Sequence, residues 1–165
     1  MNNVMTQHLL HLPIEQHLER SYWYGPNLVT VLVSAEETNG AFSLLKIMQR
    51  KGYGPPLHVH EREDESNYIL EGEIMFQIGE QTIIGRAGDF VHLPKNVPHT
   101  FNLISETAST LLFITPGGFE DMFIACGRKA ERLELPPLTG KLPEAFFEKQ
   151  ARVNEALGVR IITKI

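Results

Sequence analysis

The stretch Gly52-Tyr53-Gly54-Pro55-Pro56-Leu57-His58-Val59-His60-Glu61-Arg62-Glu63-Asp64-Glu65, followed by Ser66 to Glu71 and a turn glycine at Gly72, decides how this chain is read. Gly52 to Pro56 breaks the preceding run. Leu57 to His60 then reads as a short strand. Side chains alternate across a strand, so His58 and His60 point to the same face and give a rigid two-point bite. Glu65 opens the next run, which is expected to fold back beside the first. His99 stands on a later strand, directly after Pro98. Three imidazoles and one carboxylate suit a divalent first-row metal such as Fe, Mn, Ni, Co, Cu or Zn. Fewer ligands than coordination positions leaves room for water, O₂ or substrate.

Outward from that core the chain falls into three zones: a lead-in over 1–27, a β-rich zone over 28–116, and a helical tail over 117–165. In the middle zone, β-type runs at Leu28 to Ser34, Ala41 to Gln49, Leu57 to His60 and Ser66 to Leu70 are followed by Glu73 to Ile78 and Gln81 to Ile84. Phe90 to Leu93, His99 to Leu103 and Ser109 to Thr115 complete the set. Glu71-Gly72 and Gly79-Glu80 are tight turns between them. Short strands at this spacing predict an antiparallel sandwich or barrel. In the tail, Gly118 to Lys129 and Pro143 to Leu157 read as helices. Pro143 is suited to a helix start and Gly158 to its end. Their apolar faces are expected to cover the barrel or to form an oligomer contact.

Composition narrows the function. Fifteen basic against twenty acidic residues give a net charge of −5, which argues against a nucleic-acid partner. No apolar stretch approaches the ~20 residues of a membrane span, and the first residues lack the pattern of a secretory signal. The expectation is a cytoplasmic protein without a membrane partner. With a single cysteine, Cys126, any metal must be held by His and carboxylate.

The spacing Gly52-x5-His58-x-His60-x4-Glu65-x6-Gly72 resembles the first signature of the cupin superfamily, with every position filled. Gly88-x5-Pro94-x-Asn96-x2-His99 is similar to the second. There Asn96 stands where a glycine is usual, and Leu103 where an asparagine is usual, with Asn102 one place early. Asn tolerates left-handed backbone better than most residues, so Asn96 can serve the same turn. The resemblance implies an all-β double-stranded β-helix (a jelly-roll cupin barrel) with the C-terminal helices packed on it. It implies His58, His60, Glu65 and His99 as metal ligands. It also implies a homodimer, since such barrels commonly pair. A narrower resemblance, carried by Gly54 to His60, Arg62 to Glu65, Thr38-Asn39-Gly40 and Gly118-Phe119-Glu120, is to single-cupin proteins similar to quercetin 2,3-dioxygenases. In that group the metal binds a flavonol oxygen and the ligand Glu accepts its proton before O₂ cleaves the ring. Carried over, Glu65 is both ligand and catalytic base. The expected function is a metal-dependent oxidoreductase acting on a small enolisable or phenolic substrate. Metal-cupin isomerisation or hydrolysis, or non-catalytic binding of a small ligand, are the alternatives.

Other residues carry bland expectations. Glu61, Glu63 and Asp64 read as a solvated link beside Glu65. Asn67 shares a face with Glu65 and serves either the lumen or the core. His92 is expected on the rim or outer face, and His8, His11 and His17 on the surface. Tyr22-Trp23-Tyr24 is expected to pack as a lid or at a dimer interface.

Overall fold

A computed structural model of the chain describes residues 11–138 and 140–162; His8 lies outside them. The strands are β1 (Ser21–Tyr24), β2 (Asn27–Val33), β3 (Ser43–Arg50), β4 (His58–His60), β5 (Asp64–Glu71), β6 (Glu73–Ile78), β7 (Gln81–Arg86), β8 (Phe90–Leu93), β9 (His99–Leu103) and β10 (Thr107–Thr115). Helix α1 (Glu120–Cys126), the two-residue β11 (Arg128–Lys129), α2 (Glu144–Leu157) and β12 (Val159–Ile161) follow. They form a seven-stranded sheet, β11-β1-β2-β3-β10-β5-β8, and a five-stranded sheet, β12-β4-β9-β6-β7, antiparallel throughout. The expected all-β jelly roll with C-terminal helices is the fold observed.

Alternation drives the assembly. Along β6, Ile74 and Phe76 are buried while Met75 and Gln77 are exposed, the signature of a strand with one wet face. The inward residues of the two sheets meet in two clusters. One joins Ile69, Val91, Leu93 and Ala108 of the larger sheet to Ile74, Phe76 and Leu103 of the smaller. The other gathers Val29, Val31, Leu45, Ile47, Leu112 and Ile114 with Phe119, Met122 and Phe123 of the tail and Val159. Turns are set by backbone demands. Gly72 sits at φ 88°, where a Cβ would lie 2.6 Å from the Thr107 carbonyl oxygen. Asn96 takes φ 63°, the left-handed turn expected of it.

Four expectations are revised. The run Tyr22 to Tyr24 is strand β1, hydrogen-bonded to β2, with Trp23 buried and its indole N–H donating to the Glu134 carbonyl at 2.8 Å. The strand after His60 does not fold back beside β4. It crosses to the opposite sheet, where β5 pairs with β10 and β8. The first tail helix is shorter than expected, because Gly127 adopts extended backbone and leads into β11. The last residues form a strand: after α2 ends at the left-handed Gly158, β12 pairs with all of β4, Val159 opposite His60 and Ile161 opposite His58.

Candidate metal centre

Chain crossing between the sheets builds the site. Strand β4 presents His58 and His60 inward, and β9 lies beside it with His99 directly opposite His58. Glu65 reaches in from β5 on the other sheet, between Leu93 and Ile114 of its neighbours. One donor atom from each of His58, His60, Glu65 and His99 lies within 4.8 Å of the others, and all four residues are buried. The four residues that the sequence singled out are therefore together, in one interior centre flanked by both core clusters. His60 packs edge-on against Phe119 at 4.4 Å between ring centroids, and His99 is paired with Ile78.

Each imidazole is anchored at Nδ1. His58 Nδ1 is 2.8 Å from the Pro56 carbonyl and His99 Nδ1 is 2.9 Å from the Val97 carbonyl. His60 Nδ1 faces a carboxylate instead, Glu63 Oε2 at 3.4 Å. A carbonyl or carboxylate accepts only, so each of these bonds puts the proton on Nδ1 and leaves the Nε2 lone pair free. The Nε2 atoms of His60 and His99 are buried without a hydrogen-bond partner, 3.5 and 3.4 Å from Glu65 Oε2. Orphaned buried nitrogens of this kind need a reason. A cation bound by nitrogen lone pairs and a carboxylate oxygen supplies one, so the donor set fits a divalent metal.

Electrostatics distinguish the rings. Burial, reinforced by the neighbouring His99 and His60 and offset in part by Glu65, holds the His58 imidazolium down to about 4, so this ring is neutral at pH 7. His60 moves the other way: burial alone would lower it, but Glu65 and Glu63 outweigh burial and raise it. Burial would also push Glu65 up, yet the surrounding imidazoles, His60 foremost, bring its carboxyl down to about 2. Glu65 is an anion across the physiological range.

Neighbouring residues sort themselves by the alternation of β5. Asn67 is buried on the inward face with Glu65, whereas Ser66 turns outward and its hydroxyl meets His92 Nδ1 at 2.9 Å. His92 is exposed on the outer face, as expected. His11 is exposed and His17 half-buried. Glu63 departs from expectation. It is only 4% exposed and is no part of a solvated link. Two signals pointed to it: it lies two residues from Glu65, hence on the same side of an extended chain, and three from His60. Glu61 is exposed as expected, and Asp64 is half-buried, accepting the Lys95 backbone N–H.

Comparison with known proteins converges on the same region. Residues 45–115 match the family model described as "Cupin domain". A quercetin 2,3-dioxygenase of Bacillus subtilis (strain 168) is 23% identical over 116 residues, 70% of this chain and 34% of that protein. A quercetin 2,3-dioxygenase of Aspergillus japonicus is 35% identical over 78 residues, 44% of this chain and 22% of that protein. The chain thus spans about a third or less of the length of these relatives. The crystal structure of an RmlC-like cupin from Shewanella frigidimarina superposes with a TM-score of 0.51 at 24% identity, over 59% of this chain and 81% of that one.

Proposed function

Because the chain belongs to the cupin superfamily, we propose that it is a metal-dependent oxidoreductase of quercetinase-like type, acting with O₂ on a small enolisable or phenolic substrate. One observation carries the reading: three imidazoles and a carboxylate converge on a single buried centre. We assign His58, His60, Glu65 and His99 as the ligands of a divalent transition metal. Bound there, such an ion supplies Lewis acidity and open coordination positions. The likeness to two quercetin 2,3-dioxygenases favours dioxygen chemistry over isomerisation, hydrolysis or ligand storage.

The chain's own residues have distinct tasks in this reading. Glu65 is ionised and stands among the donor atoms, so it is the group on hand to take the proton of an enolic or phenolic hydroxyl. The O–H bond breaks, the proton passes to a Glu65 oxygen, and the substrate is left as an oxyanion. His58 and His99, each anchored at Nδ1 by a main-chain carbonyl, hold the centre's geometry. Apolar inward residues beside His99, among them Ile78, Phe76 and Phe101, exclude water from the centre. Asn67, inward on β5, is placed to hydrogen-bond a polar group of the substrate. No helix among the described residues is long and apolar enough to cross a membrane. A cytoplasmic location and a homodimer belong to the same proposal.

Oxygen consumption by metal-reconstituted protein, screened against flavonols and other enolisable phenolics, tests it. Substrate-dependent O₂ uptake that disappears in Glu65→Gln is the expected result. Turnover of the same substrates under strict anaerobiosis would replace the dioxygenase reading with isomerisation or hydrolysis. Inactivity of fully metallated protein across the panel would leave a binding module.

A further inference from the structure

Glu63 is a carboxylate that the centre described above does not use, yet it is buried beside it. An unpaired buried carboxylate is costly, so such groups persist where a partner compensates. The burial follows from how the chain crosses between the sheets. Glu61 donates its backbone N–H to the Gly158 carbonyl, and the Arg62 guanidinium donates to the Ala156 carbonyl at 3.0 Å. Those two residues are tied to the end of α2 and the start of β12, and Glu63 turns inward behind them. Its one side-chain partner among the described residues is His60 Nδ1. His58 and His99 meet main-chain carbonyls at the same atom, so the three rings are not equivalent.

We infer that Glu63 is a positioning residue: its carboxylate accepts the His60 Nδ1 proton, fixes the ring with Nε2 toward the centre, and strengthens His60 as a nitrogen donor. The inference rests on the metal-site reading above. A carboxylate behind a ligating imidazole orients the ring and raises its basicity, and loss of such a partner costs about 10- to 100-fold in metal affinity. The contact is longer, 3.4 Å against 2.8 and 2.9 Å for the carbonyl bonds of His58 and His99, and differs from them in ending on a carboxylate side chain rather than on the main chain.

Cobalt(II) titration of the metal-free full-length chain, followed by its visible absorption, tests this without reference to turnover. Glu63→Gln keeps the shape and an acceptor but removes the charge; its expected cobalt affinity is lower by about 10-fold, with an altered absorption envelope. Glu63→Leu removes the acceptor as well, and the expected loss approaches about 100-fold. Glu61→Gln, on the exposed side of the same crossing, is expected to match the wild type. In zinc-loaded wild-type protein, where folding of a variant is not at issue, the His60 Nδ1 proton is expected to resonate apart from those of His58 and His99 by NMR. Cobalt affinities and spectra of both Glu63 variants equal to wild type, or three indistinguishable Nδ1 protons, would overturn the inference while leaving the metal centre intact. A wild-type chain that takes up no cobalt would instead remove the metal reading and this inference together.

Discussion

The two flanks of strand β4 differ. Toward the middle of the five-stranded sheet, β9 meets it at one register pair, His58 opposite His99. Toward the sheet edge, β12 meets it at three, and further bonds run from Glu61 N–H to the Gly158 carbonyl and from Ile162 N–H to the Leu57 carbonyl. The strand that carries two of the proposed ligands is thus held more extensively by β12 than by its partner inside the region matched by the family model. The tail also supplies Phe119, whose ring edge backs His60. The lesson is that the domain matched by the family contains the donors, while residues outside it immobilise one face of them.

Changes in the tail and in the donors should therefore have separable consequences. The largest expected effect is at Phe119, which is 4% exposed and packed against both His60 and Phe123. Phe119→Ala should lower unfolding free energy by about 3–5 kcal/mol in denaturant titration. A loss under 1 kcal/mol would mean that α1 merely rests on the barrel. Next comes His60→Ala, which reduces a two-point bite to one point. Metal affinity should fall by more than about 100-fold, beyond the loss expected for an outer-shell partner, with the fold retained. Truncation after Leu157 removes β12 but none of the donors. It should weaken metal binding by about 10-fold and lower Tm, and an unchanged affinity would break the comparison between the flanks.

Smallest is Glu37, remote from both flanks, whose carboxylate accepts two bonds from Arg20 at 2.9 and 2.6 Å. The Arg20 guanidinium is the main cause that brings the Glu37 carboxyl down to about 2. A carboxyl lowered in the folded state stabilises above its ordinary pKa, and that stabilisation is lost as pH falls through the folded value. Glu37→Gln should thus cost under about 1 kcal/mol at pH 7, because the pair is partly exposed. The difference from wild type should shrink between about pH 4.5 and 2, and metal affinity should not move. His58 gives a related sign for the metal-free protein. Its folded value near 4 lies below its ordinary 6.5, so its neutral form favours folding above pH 6.5 and that contribution fades as pH falls toward 4.

Much of this was legible because it is local. The i, i+2 spacing of His58 and His60 needs only strand alternation, and the turns at Gly72 and Asn96 need only backbone preference. Helix α2 was readable from Pro143 and Gly158, which cap it as expected. What escaped was non-local. Nothing within Val159–Ile161 announces a strand whose partner lies about a hundred residues earlier, since pairing is decided by where α2 returns the chain. The crossing of β5 to the opposite sheet was hidden for the same reason. Glu63 was lost in the charged run Glu61 to Glu65, where composition suggests solvent; its spacing from His60 and Glu65 is a weak signal until the crossing of the chain turns it inward.

The most direct test is metal stoichiometry in wild-type protein beside the fourfold variant His58→Ala, His60→Ala, Glu65→Ala, His99→Ala, each exposed to the same divalent-ion mixture and then desalted. One transition-metal ion per wild-type chain and none in the variant is the expected result. Equal retention by both, or none by either, would contradict a centre built from these side chains.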